Sequence, residues 1–320
     1  MKVFGATPSN GELPSLACGI IAALAVVSSL DAQQPSSQPP PVQVTVHGRT
    51  WTQQELFQRN IGAPDDQTSP FPPHKIIGNV YYVGTRSLAS FLVVTAQGNI
   101  LINSSYERNV PVLQKSVEQL GLKFTDIKVV LGSHAHGDHQ EGDALVKQLT
   151  GAQVIAMAED VPALQNLRPG GREHPIDRVL HDGESVTLGQ VTLVAHLTPG
   201  HTRGCTTWTM KVLEGGKTYD VVIVGSFGVN PGFVLVNNAA VPQIAEEYTR
   251  GLRIARSLPC DVLLGSHPGM YNMAEKYGKL GEGRANPFID PAGCQAELDL
   301  VEAMFHAVLE AQQKAPSGAK

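Results

Sequence analysis

Seven consecutive residues concentrate metal-binding chemistry. Ser133-His134-Ala135-His136-Gly137-Asp138-His139 packs three imidazoles and a carboxylate into one short turn. Neutral imidazole nitrogen and carboxylate oxygen are preferred ligands of zinc. In an extended segment, side chains two apart point the same way, so His134 and His136 can grip one ion together. Gly137 lets the chain turn sharply, and Asp138 and His139 then face a second position close by. Two more histidines stand in glycine-flanked loops, Gly200-His201 and Ser266-His267-Pro268-Gly269. If these loops converge on one rim, the ligands are His134, His136, Asp138, His139, His201 and His267. Three histidines make a tetrahedral site with one position left for water, and the remaining Asp, His and His make a second. Two zinc ions about 3.5–4 Å apart can share a hydroxide and stabilise charge as a bond breaks. The chemistry expected is hydrolysis, with two zinc ions per chain.

Placing those side chains demands particular elements. Residues 127–131 read as a buried strand, and residues 140–149 as a helix that Gly151 ends. The turn therefore lies at a strand's C-terminal end, where open α/β sheets place their sites. Residues 191–197 read as a strand running into Thr198-Pro199-Gly200-His201, and residues 262–264 as one running into Gly265-Ser266-His267. Hairpins are expected over 76–83, over 91–102, over 186–197 and over 208–224, the last around Gly215-Gly216. Helices are expected over 51–60, with Thr52 as cap, and over 109–120, 158–167, 244–258 and 291–310. Strands come first and mixed strands and helices follow, twice over. That order predicts an α/β protein of two sheets packed face to face with helices outside. The loop over 158–175 is expected to shape the entrance.

Composition narrows the function. The 320 residues carry a formal charge of -5 with no basic block, which argues against nucleic acid. A hydrophobic content of 42% suits a globular protein with a sizeable core. The long apolar run over 16–30 is short for a spanning helix and reads as the h-region of a signal peptide cleaved after Ala32. Cys18 lies inside that run, a poor position for a lipid anchor. The expectation is an exported monomer, periplasmic or secreted, without a membrane anchor. Residues 33–42 are rich in Gln, Pro and Ser, so residues 33–71 read as linker and arm, residues 72–313 as the catalytic domain and residues 314–320 as a flexible tail. Export leaves Cys205, Cys260 and Cys294, one bridge and one thiol, with all three pairings open. His196 reads as a hydrogen-bonded supporting residue; His47, His74, His174, His181 and His306 read as surface or structural.

The motif His134-Ala135-His136-Gly137-Asp138-His139, with Thr198-Pro199-Gly200-His201 and His267, resembles the metallo-β-lactamase superfamily over roughly residue 72 to the last helix. The resemblance implies a four-layered αβ/βα sandwich with zinc at one sheet edge. Many hydrolases of that family carry a bridging Asp where this chain has Val222-Ile223-Val224-Gly225-Ser226-Phe227-Gly228. An all-histidine first site, His139 in the second and Ser226 in that stretch resemble the third subclass of class B β-lactamases. So do residues 258–268 and 286–291. By resemblance, His134, His136 and His201 hold the first zinc, while Asp138, His139 and His267 hold the second. Asp138 orients a hydroxide that opens the β-lactam ring of penicillins, cephalosporins and carbapenems. Ser226 binds the substrate carboxylate, and Cys260 pairs with Cys294. Two positions depart from the pattern: Asn103 replaces a common Asp, and Gly228 a common Ser. Ser226 lacks a Lys at Ser-x-x-Lys spacing, which argues against a serine-nucleophile route. Rival expectations are the same fold acting on lactones or other esters and amides, and an exported zinc-binding protein without catalysis.

Overall fold

The computed structural model describes residues 41–281, 283 and 285–315. The leader expected over residues 1–32 lies outside that range, as do residues 316–320 of the expected tail. The described chain opens with a hairpin, β1 (Gln43–Val46) and β2 (Arg49–Thr52), and a helix α1 (Gln53–Ile61). Thr52 and Glu55 form a reciprocal capping box at the helix start: the Thr52 hydroxyl accepts the Glu55 N–H (3.1 Å), and the Glu55 carboxylate accepts the Thr52 N–H (2.8 Å). The arm expected here thus folds onto the body, because Val44, Val46 and Trp51 pack against the main core.

Next come β3 (His74–Ile77), β4 (Val80–Tyr82), β5 (Phe91–Thr95), β6 (Gly98–Ile102), α2 (Val110–Gln119) and β7 (Ile127–Leu131). Then follow α3 (Gly137–Gln140), α4 (Asp143–Thr150), β8 (Gln153–Met157), α5 (Val161–Asn166) and β9 (Arg178–Leu180). The strands β3 to β9 make one seven-stranded sheet in sequence order, antiparallel up to β6 and parallel beyond it. A second, five-stranded sheet runs β10 (Ser185–Leu188), β11 (Val191–Leu197), β12 (Thr206–Glu214), β13 (Lys217–Val224) and β14 (Val262–Gly265). Helix α6 (Ile244–Ser257) connects β13 to β14, which pair in parallel, and α7 (Met273–Gly278) and α8 (Pro291–Lys314) end the fold.

Strand periodicity of two explains the layers. In β5, β6 and β7, Phe91, Val93, Ile100, Ile102, Val129 and Leu131 point into the core between the sheets. Their neighbours Leu92, Leu101 and Val130 point the other way, onto Val110, Leu113 and Val117 of α2 and Val146 of α4. On the far side, Tyr248, Leu252, Val301 and Phe305 of α6 and α8 join the core against the second sheet. The result is the expected sandwich of helices, sheet, sheet and helices. Cys260 and Cys294 form a disulfide joining the segment before β14 to α8, and Cys205 is a buried free thiol.

The helix expected over 140–149 is instead two. Helix α3 starts earlier, at Gly137, and ends at Gln140; α4 begins at Asp143. Gly142 causes the break. Its N–H bonds the Ser105 carbonyl at 2.8 Å, and a Cβ there would stand 2.6 Å from the Ser104 carbonyl oxygen. The backbone between the helices is thereby pinned to the loop after β6.

Candidate metal centre

Strand β7 delivers the His134–His139 turn, and several neighbours fix its path. Asn103, in the left-handed region (φ 64°), accepts the Ser133 N–H on its side-chain oxygen at 2.9 Å and donates to the Ala89 carbonyl at 3.3 Å. Asn103, which stands where the resembling family commonly has Asp, therefore braces the turn. Trp208 of β12 donates its indole N–H to the Gly132 carbonyl at 3.0 Å, tying the second sheet to the exit of β7. A Cβ on Gly132 would meet the Gln140 side-chain amide at 2.0 Å, so any larger residue there would displace that amide. The His136 backbone is extended, and α3 starts immediately after it. That change from strand-like to helical backbone separates the directions of His134 and His136 from those of Asp138 and His139.

Loops from the other sheet complete the group. His201, between β11 and β12, donates its Nδ1–H to the Gly228 carbonyl at 2.7 Å and stacks on Phe233, ring centres 5.5 Å apart. His267, just after β14, donates its Nδ1–H to the Ser87 carbonyl at 3.0 Å. Both rings are left to present Nε2. The centroid of His134 lies 4.7 Å from those of His136 and His201, which are 4.8 Å apart from each other. His139 sits 4.3 Å from His134 and 4.9 Å from His267. Ligand atoms of His134, His136 and His201 all fall within 4.8 Å of one another, and so do those of His134, Asp138 and His139. His267 stands at the margin of the second group, its Nε2 3.8 Å from Asp138 Oδ2. All six expected ligands thus meet at one rim, with His134 between the two groups.

The charges suit a cation. Burial and the neighbouring imidazoles His139, His201 and His136 push His134 well below the usual histidine range. Burial, then His136, brings His201 down to about 3; burial, then His139, brings His267 down to about 4. These rings are neutral at physiological pH, as metal ligation requires. Burial pushes the Asp138 carboxyl up, but His139 and His267 beside it prevail and hold it well below the usual carboxylate range. Nε2 of His134 and both ring nitrogens of His139 are buried without a hydrogen-bond partner. Buried nitrogens left without partners are costly, and an ion bound by the group would satisfy them. The donor set is nitrogen with one carboxylate, which matches zinc better than a hard oxygen-seeking ion.

Ser226 is buried in the loop after β13, and its hydroxyl accepts the Gly228 N–H at 3.2 Å. Gly228 in turn receives His201 and the Tyr248 hydroxyl (2.9 Å) on its carbonyl, so Ser226 shares a loop with the support of His201. His196 bonds Thr209 across two strands at 2.8 Å, a structural role. His74 and His174 are buried; His47, His181 and His306 are exposed. Sequence reading missed Asp160, Trp208 and Tyr248 as supports. Asp160 precedes Val161-Pro162 and reads as an ordinary helix-start carboxylate, while aromatic residues read as core. The expected helix over 158–167 is a 3-10 turn (Ala158–Asp160) followed by α5.

A fold of two packed sheets with histidine-rich loops at one rim defines a class of metal-dependent enzyme. The profile of the Metallo-beta-lactamase superfamily matches residues 83–267, and the chain belongs to that superfamily. Among solved structures, the native FEZ-1 metallo-beta-lactamase from Legionella gormanii is 48% identical, covering 78% of this chain and 99% of its own, with a TM-score of 0.75. BJP-1, a subclass B3 metallo-beta-lactamase of Bradyrhizobium japonicum, is 34% identical over 78% of this chain and 98% of its own, with a TM-score of 0.71. Curated relatives match more locally. Hydroxyacylglutathione hydrolase of Rhodospirillum rubrum is 38% identical over 94 residues, 29% of this chain and 32% of that protein. The human mitochondrial persulfide dioxygenase ETHE1 is 25% identical over 112 residues, 35% of this chain and 39% of its own. The chain therefore spans about a third of the length of these curated relatives.

Proposed function

We propose that this protein is a di-zinc hydrolase that opens β-lactam rings and so confers antibiotic resistance. The observation that carries the reading is extent. The likeness to the FEZ-1 metallo-beta-lactamase runs over 99% of that chain, whereas the likeness to hydroxyacylglutathione hydrolase covers 32% of that protein. The stretch 222–228 also carries no carboxylate. His134, His136 and His201 would hold one zinc, and Asp138, His139 and His267 the other. When bound, the metal pair supplies Lewis acidity and a water acidified towards neutral pH. Asp138, ionised beside His139 and His267, would accept a hydrogen bond from the attacking water and orient it towards the lactam carbonyl; the C–O bond forms, the C–N bond breaks and the proton given up by the water ends on the ring nitrogen. Ser226 binds the carboxylate that β-lactams carry beside the ring. Phe233 and Val234 line a hollow next to His201 that receives apolar substituents. Export fits the apolar run over 16–30, and among the described residues no helix is long and apolar enough to cross a membrane.

The test is turnover of a chromogenic cephalosporin by the purified protein, before and after removal of metal with a chelator. We expect hydrolysis that stops on chelation and returns with zinc. Full turnover in chelator would remove the metal mechanism. A second reading, the same site acting on a lactone or thioester, is favoured by the hydroxyacylglutathione hydrolase matches. It gains if penicillins, cephalosporins and carbapenems all survive while an acyl lactone is opened.

A further inference from the structure

Behind the tri-histidine group lies a buried carboxylate that no part of the reaction requires. Asp160 ends the 3-10 turn after β8 and is 2% exposed. Its Oδ2 accepts the Ala135 N–H at 2.8 Å and the Thr202 hydroxyl at 3.0 Å; its Oδ1 accepts the Gly204 N–H at 2.7 Å. Ala135 is the residue between His134 and His136. Thr202 follows His201 directly, and Gly204 lies two further on. One side chain therefore spans the two loops, from opposite sheets, that supply all three histidines of the group.

The close approach is built in. A Cβ on Gly204 would come within 2.4 Å of the Asp160 nitrogen and 2.6 Å of its Cβ and Cγ. Gly204 has no positive φ, so space rather than backbone conformation demands glycine here. An anion buried to this degree is costly unless its hydrogen bonds are made, and here both oxygens are used. Each loop already has its own anchors, Asn103 for one and Gly228 for the other.

We propose that Asp160 is the positioning residue of the His134–His136–His201 group, holding the two loops at metal-binding separation before any ion arrives. The inference rests on the reading that this group holds a metal. Its test measures zinc affinity by competition with a chromogenic chelator, together with the visible absorption of the cobalt-substituted protein, which reports ligand geometry. The variants are Asp160→Asn, which keeps the shape but turns an amide N–H towards a donor, and Thr202→Val, which removes one bond from a half-buried position. Apoprotein melting is followed alongside. For Asp160→Asn we expect about 10–100-fold weaker zinc binding and an altered cobalt spectrum. For Thr202→Val, the milder change because one bond of three is lost and the carboxylate stays, we expect about threefold weaker binding. Wild-type affinity and spectrum in both variants would overturn the proposal. A lower melting temperature with unchanged metal constants would do the same, making Asp160 a residue of the fold alone. A wild-type protein that takes up no metal would instead overturn the functional reading and this inference with it.

Discussion

Two buried histidines outside the metal group respond to acid in opposite directions. His74 stacks on Tyr82 at 5.5 Å and Phe288 at 5.8 Å, and its Nε2 has no partner. Burial lowers its pKa below 6.5, against the pull of the Pro72 carbonyl. The unfolded chain then binds the proton more readily, so the contribution of His74 is intact above pH 6.5 and lost as pH falls through the folded value. A His74→Phe variant should close its melting-temperature gap to wild type, or reverse it, between about pH 8 and pH 5. His174 is the converse. Burial lowers its pKa, but Asp143, 3.1 Å away, outweighs burial and raises it above 6.5. Its stabilisation is complete below 6.5 and fades as pH rises through the folded value. His174→Gln should therefore cost most in mild acid and least near about pH 9, read from denaturation midpoints. At the site itself, Asp138→Asn should lower kcat by about 10²–10⁴-fold, read with zinc content measured alongside, because the proposed role of that carboxylate is to hold and orient the attacking water. All six candidate ligands were legible because residue type and spacing mark them out, and the structure brings them to one rim. Asp160 was not, because two of its three partners are backbone N–H groups that sequence leaves anonymous.

Among the elements, the first hairpin and α1 show how local sequence hides tertiary anchorage. Thr52 was readable as the cap, whereas its partner Glu55 and the docking of this segment came from the structure. Arg59 of α1 reaches Glu297 of α8 through two bonds of 2.7 and 2.6 Å, an ion pair separated by 238 positions. Both side chains are largely buried. Arg59→Ala would leave Glu297 buried and unpaired, and should cost about 3 kcal/mol in denaturant unfolding. A cost below about 0.5 kcal/mol would show that water reaches the pair as it does at exposed sites. The split of α3 from α4 was illegible for a related reason. Gln140 to Leu149 carries helical periodicity throughout, and only the approach of Ser104 to Gly142 interrupts it.

At the scale of the molecule, the order of strands followed by mixed strands and helices, twice over, made two packed sheets predictable, and glycine-flanked histidines placed the rim. Cysteine pairing was open from residue counting, and the family resemblance chose the pair that the structure contains. The Cys260–Cys294 bridge closes a loop of 34 residues. Reduction should lower stability by about 3–4 kcal/mol. Equal melting of Cys260→Ser/Cys294→Ser and wild type under oxidising conditions would count against that.

The ligands also impose an order of events. His134 leaves the first sheet, whereas His267 leaves β14, the last strand of the second. A half-assembled chain cannot offer all six, so a site that uses the complete set closes only once both sheets have formed. Zinc added to a refolding mixture should raise final resistance to denaturant while leaving the refolding rate unchanged, and a chelator present throughout should not slow the collapse of either sheet.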